Sequence, residues 1–162
     1  MSRSGDLKKL KDYARSKKVK VRFRSKFPLG GIFLNGTYNI PNRTVTLSSD
    51  FKKKKCRHHR LIYTLAHELG HAADFDKMGK RVHYRTVQSV GVFVMWCMGE
   101  IYIPKKYLRI LRRIIVDMEE RAYDEGEKIL RRLKIEVPAK WAALNRKRSV
   151  GSYRRAFSRY LD

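Results

Sequence analysis

Val19, Val21 and Phe23 alternate with Lys20, Arg22 and Arg24, the period-two pattern of a half-buried strand with a basic outer face. Residues 30–39 and 44–48 read as two further strands, and the Pro41 and Asn42 between them suit a turn. The pattern therefore predicts a small antiparallel or mixed sheet over residues 19–50, after a basic N-terminal segment of residues 1–18. A run of four lysines at 52–55 follows as a solvated loop, with His58 and His59 at its end.

From His58 the period becomes helical. Leu61, Ile62, Leu65, Leu69, Ala72 and Ala73 make one apolar stripe, predicting a helix over residues 58–76. A second helix is expected over residues 84–98, and residues 99–104 break it. Pro104 suits the first turn of a third helix over residues 104–134. Beyond Pro138 a basic helical segment carries Tyr153, Ala156, Phe157, Tyr160 and Leu161 on one side. Sheet first and helices after is the order of an α+β fold. Residues 1–137 are expected to form the domain, and residues 138–162 a basic helical tail.

The 162 residues suffice for one such domain with a real core and no disulfide framework. Cys56 and Cys97 sit in no paired motif and suit a reducing compartment. No apolar stretch opens the chain in the manner of an export signal, so a cytoplasmic location is expected. The one membrane-like stretch, residues 87–98, is too short for a span of about 20 residues and reads as a buried helix.

Charge changes the picture more than composition does. Lys and Arg number 39 against 15 Asp and Glu, for a formal net charge of +24. Residues 1–60 hold 18 basic and 3 acidic side chains, residues 61–137 hold 14 and 11, and residues 138–162 hold 7 and 1. The ends are basic and the middle is nearly balanced. Such a charge attracts nucleic acid, anionic surfaces and acidic proteins at long range. The expected patches are Lys52, Lys53, Lys54, Lys55 and Arg57, and then Arg146, Lys147, Arg148, Arg154 and Arg155. Non-specific nucleic-acid binding through the basic ends follows from them.

The chemistry lies in His67, Glu68, Leu69, Gly70 and His71, an HExxH motif inside a segment of helical period. Residues four apart share a helix face, so both imidazoles reach one metal ion, and Glu68 lies beside a metal-bound water. Neutral histidine is a good zinc ligand, and a catalytic zinc takes three protein ligands and leaves one position open. Of the 15 acids, six fall within residues 117–127. Glu119 shares a helix face with Leu108, Ile115, Ala122, Tyr123, Gly126 and Leu130, whereas Glu120 points away with Glu127 and Arg131. A carboxylate on a buried face needs a cation, either a metal ion or an arginine.

His67-Glu68-x-x-His71 followed by Glu119-x-x-Ala122 resembles the gluzincin metallopeptidases, whose second helix carries Glu-x-x-(Ala or Ser)-(Asp or Asn)-x-x-(Gly or Ala). Gly126, Ile129 and Leu130 fit that register, and the strands before the motif are similar to those of small ImmA/IrrE-type peptidases. The resemblance implies a zinc metalloendopeptidase with one Zn²⁺ per chain, held by His67, His71 and Glu119, with Glu68 as general base and a protein or peptide as substrate. It also implies a sheet edge that holds substrate as an added strand, expected near residues 44–48.

Tyr123 stands where the family has Asp or Asn to orient a ligand histidine, and Tyr123, Asp124 and Asp74 are the candidates for that role. His83, Tyr84 and Tyr102 are candidate donors to the oxyanion of the reaction. The extended HExxHxxGxxH pattern fails at Asp74 and Lys77, and His83 faintly resembles the third ligand of SprT-like proteases acting on DNA-bound proteins. The competing expectation is a basic nucleic-acid-binding protein with a structural or degenerate zinc site.

Overall fold

The chain, seen in a computed structural model, is described over residues 3–24, 36–49 and 58–161, with the side chains of residues 3–4 and 80–83 excepted. Strands β1 (Lys20–Arg24), β2 (Gly36–Asn39) and β3 (Thr44–Ser48) form one sheet in the order β1-β3-β2. β1 runs parallel to β3, with Val21 opposite Val45 and Phe23 opposite Leu47. β2 runs antiparallel to β3, with Tyr38 opposite Val45. The sheet is therefore mixed. Val45 and Leu47 are fully buried on the central strand, each contributing about 1.5–3 kcal/mol by leaving water.

That order corrects one expectation. Residues 44–48 offer no free edge, because β3 is paired on both sides. Among the described residues, β1 and β2 are the edge strands, β1 packing on α1 and β2 on α2.

There are five helices among the described residues: α1 (Arg3–Ser16), α2 (His58–Lys77), α3 (Lys80–Cys97), α4 (Lys105–Arg132) and α5 (Ala139–Leu161). The architecture is α+β and mostly helical. α2 lies between the sheet and α4, and α4 carries α3 and α5 on its other sides. α1 arises within the segment read as merely basic. Leu7, Leu10 and Ala14 recur at helical spacing between its lysines, and Leu10 and Ala14 are fully buried against α2 and the sheet. The helix ends in a Schellman turn, with Lys18 at φ 54° and the Val19 amide donating to the Ala14 carbonyl.

α5 is packed rather than detached, since Val150 and Phe157 are buried in the core formed with α2 and α4. α3 is less covered than its composition predicts. Its Phe93 and Trp96 rings pack on Phe157, yet Thr86 is the only described α3 side chain that is buried. The expected buried helix is thus a helix buried on one side. Among the described residues, no helix is long and apolar enough to cross a membrane.

Candidate metal centre

Small residues let α2 and α4 cross at very close range. A Cβ on Gly70 would fall on the Ala122 carbonyl oxygen, and one on Gly126 would lie 2.7 Å from the Ala66 carbonyl oxygen. Backbone therefore packs on backbone at this crossing. Glycine is required here because any side chain would force the helices apart. An approach this close places Glu119, one turn before Ala122, against the two histidines one turn apart on α2.

His67, His71 and Glu119 are all buried, and their ligand atoms lie within 4.8 Å of one another. His67 Nε2 stands 3.3 Å from Glu119 Oε2, and His71 Nε2 stands 3.5 Å from Glu119 Oε1. The edges of a tetrahedron with bonds of about 2.0–2.1 Å are about 3.3–3.4 Å long, so these separations suit a small divalent cation. The His67 and His71 rings meet edge to face at 4.7 Å. Two imidazoles and one carboxylate fill three positions, and among the described residues no fourth protein ligand joins them. The group fits a metal ion.

The electrostatics agree. Burial alone would raise the Glu119 carboxyl, but His71 and His67 beside it hold it well below the usual carboxylate range. Burial would lower His71, and the charge and hydrogen bond of Glu119 overcome it and push the imidazole up. Glu68 is also buried, and that burial, with the Glu119 charge added, raises its carboxyl against the lowering effect of the two histidines. Glu119 is thus held anionic between two imidazoles, and a divalent cation there would favour the charged carboxylate and the neutral rings.

Glu68 has a defined floor. A Cβ on Gly36, the first residue of β2, would lie 2.9 Å from Glu68 Oε1 and 2.9 Å from Thr64 Cγ2. The glycine makes room for the carboxylate, so the start of β2 packs directly on Glu68.

The support behind the ligands differs from the expectation. Tyr123 stacks on the His67 ring at 4.0 Å between centroids, with 28° between planes, and does not bond it. Its hydroxyl is hydrogen-bonded to Ser149 of α5, and the Arg146 guanidinium lies over its ring at 5.8 Å. Asp124 accepts from Arg146, and Asp74 accepts from the Arg121 Nε. His67 Nδ1 is buried and has no hydrogen-bond partner among the described residues. The orientation of this ring is therefore held by packing, where a carboxylate commonly holds a ligand histidine.

The residue that sequence reasoning missed is Tyr153. Its hydroxyl is hydrogen-bonded to Glu119, and burial together with the charges of Glu119 and Glu68 holds the phenol protonated well above its ordinary range. It lies on α5 between the two apolar clusters of the core. Its place on the apolar side of the last helix was the only sequence signal, and that signal does not separate it from Phe157 or Tyr160.

Tyr84 and Tyr102 are both exposed, and Tyr102 sits in a groove with Trp96, Lys105 and Tyr160 that contains none of the ligand residues. The His83 side chain lies outside the described residues, as do Lys52, Lys53, Lys54, Lys55 and Arg57. His58 opens α2 and pairs with Asp6 of α1 at 3.3 Å. Of the C-terminal basic residues, Arg146 pairs with Asp124 and Arg154 with Glu120, whereas Lys147, Arg148 and Arg155 are exposed without an ion pair among the described residues. Compared with protein-family models, with curated proteins and with solved structures, the chain matches none.

Proposed function

We propose that this chain is a zinc-dependent metalloendopeptidase of the gluzincin type. One observation carries the reading: three buried side chains from two helices converge as a possible ligand set, and Glu68, buried and with no ion pair among the described residues, stands beside them on α2. A purely structural metal site has no need of that glutamate. Zinc, when bound by His67, His71 and Glu119, would supply a Lewis acid and an acidified water at the open position.

The remaining work falls to side chains. Glu68, with its carboxyl raised by burial, takes the proton from the attacking water and returns it to the leaving amine. Tyr153, whose single hydroxyl hydrogen goes to Glu119, holds that side chain in place. β2, whose outer edge is unpaired among the described residues and whose Gly36 packs on Glu68, would take an extended peptide as an added strand. Glu119 is restrained by Tyr153 and both histidines, so the ligand set is preorganised.

Glu68→Gln tests the reading. The amide nearly matches the acid in volume and leaves all three ligands in place, so metal content is expected to stay at one ion per chain. Hydrolysis of a casein or peptide-library substrate should fall by about 10²–10⁴-fold, the usual loss for one acid–base group. Equal cleavage by both proteins, or zinc bound with no cleavage by either, would overturn the proposal. The second outcome would favour a nucleic-acid-binding protein with a structural metal, whose remaining support is the basic charge at the chain ends.

A further inference from the structure

α3 carries an exposed face that its chemistry sets apart from the rest of the surface. Tyr84, Gln88, Gly91, Val92, Met95 and Met98 recur at i, i+4, i+7, i+8, i+11 and i+14, and all are exposed. The opposite side of the helix packs through Phe93 and Trp96 on Phe157 of α5. The outer face bears no charge from Thr86 to Gly99. It continues into Tyr102, 86% exposed, and Tyr160, 60% exposed, which share a groove with Trp96. Among the described residues, eight of the nine exposed large apolar side chains lie on α3, on the α3–α4 connection, on the first turns of α4 or at the end of α5.

The charge beside this face is mainly of one sign, Glu100 just after α3 being the acid next to it. Residues 101–116 hold five cations and no acid. Lys105, Lys106, Arg109 and Arg113 are exposed on the first turns of α4, and no carboxylate pairs with them among the described residues. The surface is therefore an uncharged apolar helix face with tyrosines at its end and a cationic flank.

We infer that this face binds an anionic lipid surface, with α3 lying in the plane of the interface. Three alternatives fit the chemistry less well. A nucleic-acid duplex satisfies the cations but gives Val92, Met95 and Met98 no apolar partner. A second copy covers the apolar side chains but sets two like cationic flanks beside each other. A span across the bilayer is excluded by the length and hydropathy of α3. Anionic headgroups over acyl chains satisfy both halves at once, because apolar side chains enter the headgroup boundary while lysines and arginines meet phosphate. Tyrosine rings prefer that same boundary. The inference does not depend on the metal site.

The experiment is cosedimentation of the full chain with vesicles of phosphatidylcholine alone and of phosphatidylcholine with roughly one phosphatidylglycerol in three. Wild type is expected to bind the mixed vesicles, and to retain measurable binding at roughly 0.5 M salt, where charge attraction is largely screened. Met95→Ser, Met98→Ser and Tyr102→Ser combined should weaken partitioning at least about tenfold, since three inserted side chains are removed. These side chains are exposed, so circular dichroism and DNA affinity should be unchanged. Lys105→Glu with Lys106→Glu should abolish low-salt preference for the anionic vesicles. Mixed-vesicle binding that is equal in wild type and the triple variant would mean that charge alone acts, and would overturn the inference. So would a wild-type dimer in solution that the triple variant abolishes, or the absence of vesicle binding.

Discussion

The Tyr153 hydroxyl donates its hydrogen bond to the Glu119 carboxylate, tying the last helix of the chain to a ligand on α4. The segment beyond Pro138 thereby joins the site instead of trailing from it. Tyr153→Phe removes this donor and keeps the ring that packs against Phe93 at 5.9 Å. Zinc affinity, measured by competition with a chromophoric chelator, should weaken by about 10–100-fold, as for other groups that orient ligands. Unchanged affinity and unchanged turnover would remove Tyr153 from the site.

Gly70 and Gly91 make a matched pair. Gly70→Ala puts a methyl group where the Ala122 carbonyl already stands, and backbone cannot swing aside as a flexible side chain can. Destabilisation of at least about 1–3 kcal/mol is expected in urea, together with weaker metal binding, because α2 and α4 must separate. Gly91→Ala meets nothing within 4 Å on an exposed helix interior and should stabilise by about 0.5–1 kcal/mol. Equal effects at both sites would mean that the helix crossing is looser than described.

The metal-stripped protein should lose stability as pH rises above about 6.5. His71 is raised in the fold, so its contribution is complete below the unfolded value of about 6.5 and is lost as pH climbs through the folded one. Glu68, also raised, contributes in the same direction at lower pH. Glu119 is depressed, so its contribution is present above about 4.3 and disappears only in strong acid. Added Zn²⁺ should reverse the decline, since it favours neutral His71 and both carboxylates. The check is thermal unfolding in chelator across this range, where a rising midpoint would contradict the assignment.

Arg146 pairs with Asp124, lies over Tyr123 and donates to the Glu120 carbonyl, so its charge is spent within the fold. Arg146→Ala should therefore disturb stability more than DNA affinity, while Arg148→Ala and Arg155→Ala should do the opposite. Salt-dependent DNA titration separates the two, with the slope falling by about one for each phosphate that is no longer neutralised. A shallower slope for Arg146→Ala than for the other two would contradict this division.

What the sequence made legible was whatever has a local period. The α2 stripe with its histidines four apart and the phase that put Glu119 inward are local properties, and the fold follows both. α1 was hidden because lysines fill the positions around Leu7, Leu10 and Ala14, so mean hydropathy is low although the stripe is intact. α3 was overread because apolar residues surround the whole helix, and periodicity cannot tell which side a neighbour covers. The parallel pairing of β1 with β3 joins residues 24 positions apart, such as Lys20 and Thr44, and nothing local encodes it. Tyr153 was invisible for the same reason, being 34 residues from Glu119 and reaching it only through the packing of α5 on α4.

The crossing at Gly70 and Gly126 also bears on which ions the site would accept. Its width is set by main-chain atoms that touch, which can neither draw closer nor spread without cost, so the three ligand atoms cannot breathe to suit a guest. Calcium asks for six to eight oxygens at about 2.3–2.6 Å, and two imidazoles with one carboxylate at this spacing offer neither the number nor the reach. The small divalent ions that favour nitrogen fit equally well by size, so the choice among them would pass from the protein to the supply in its surroundings.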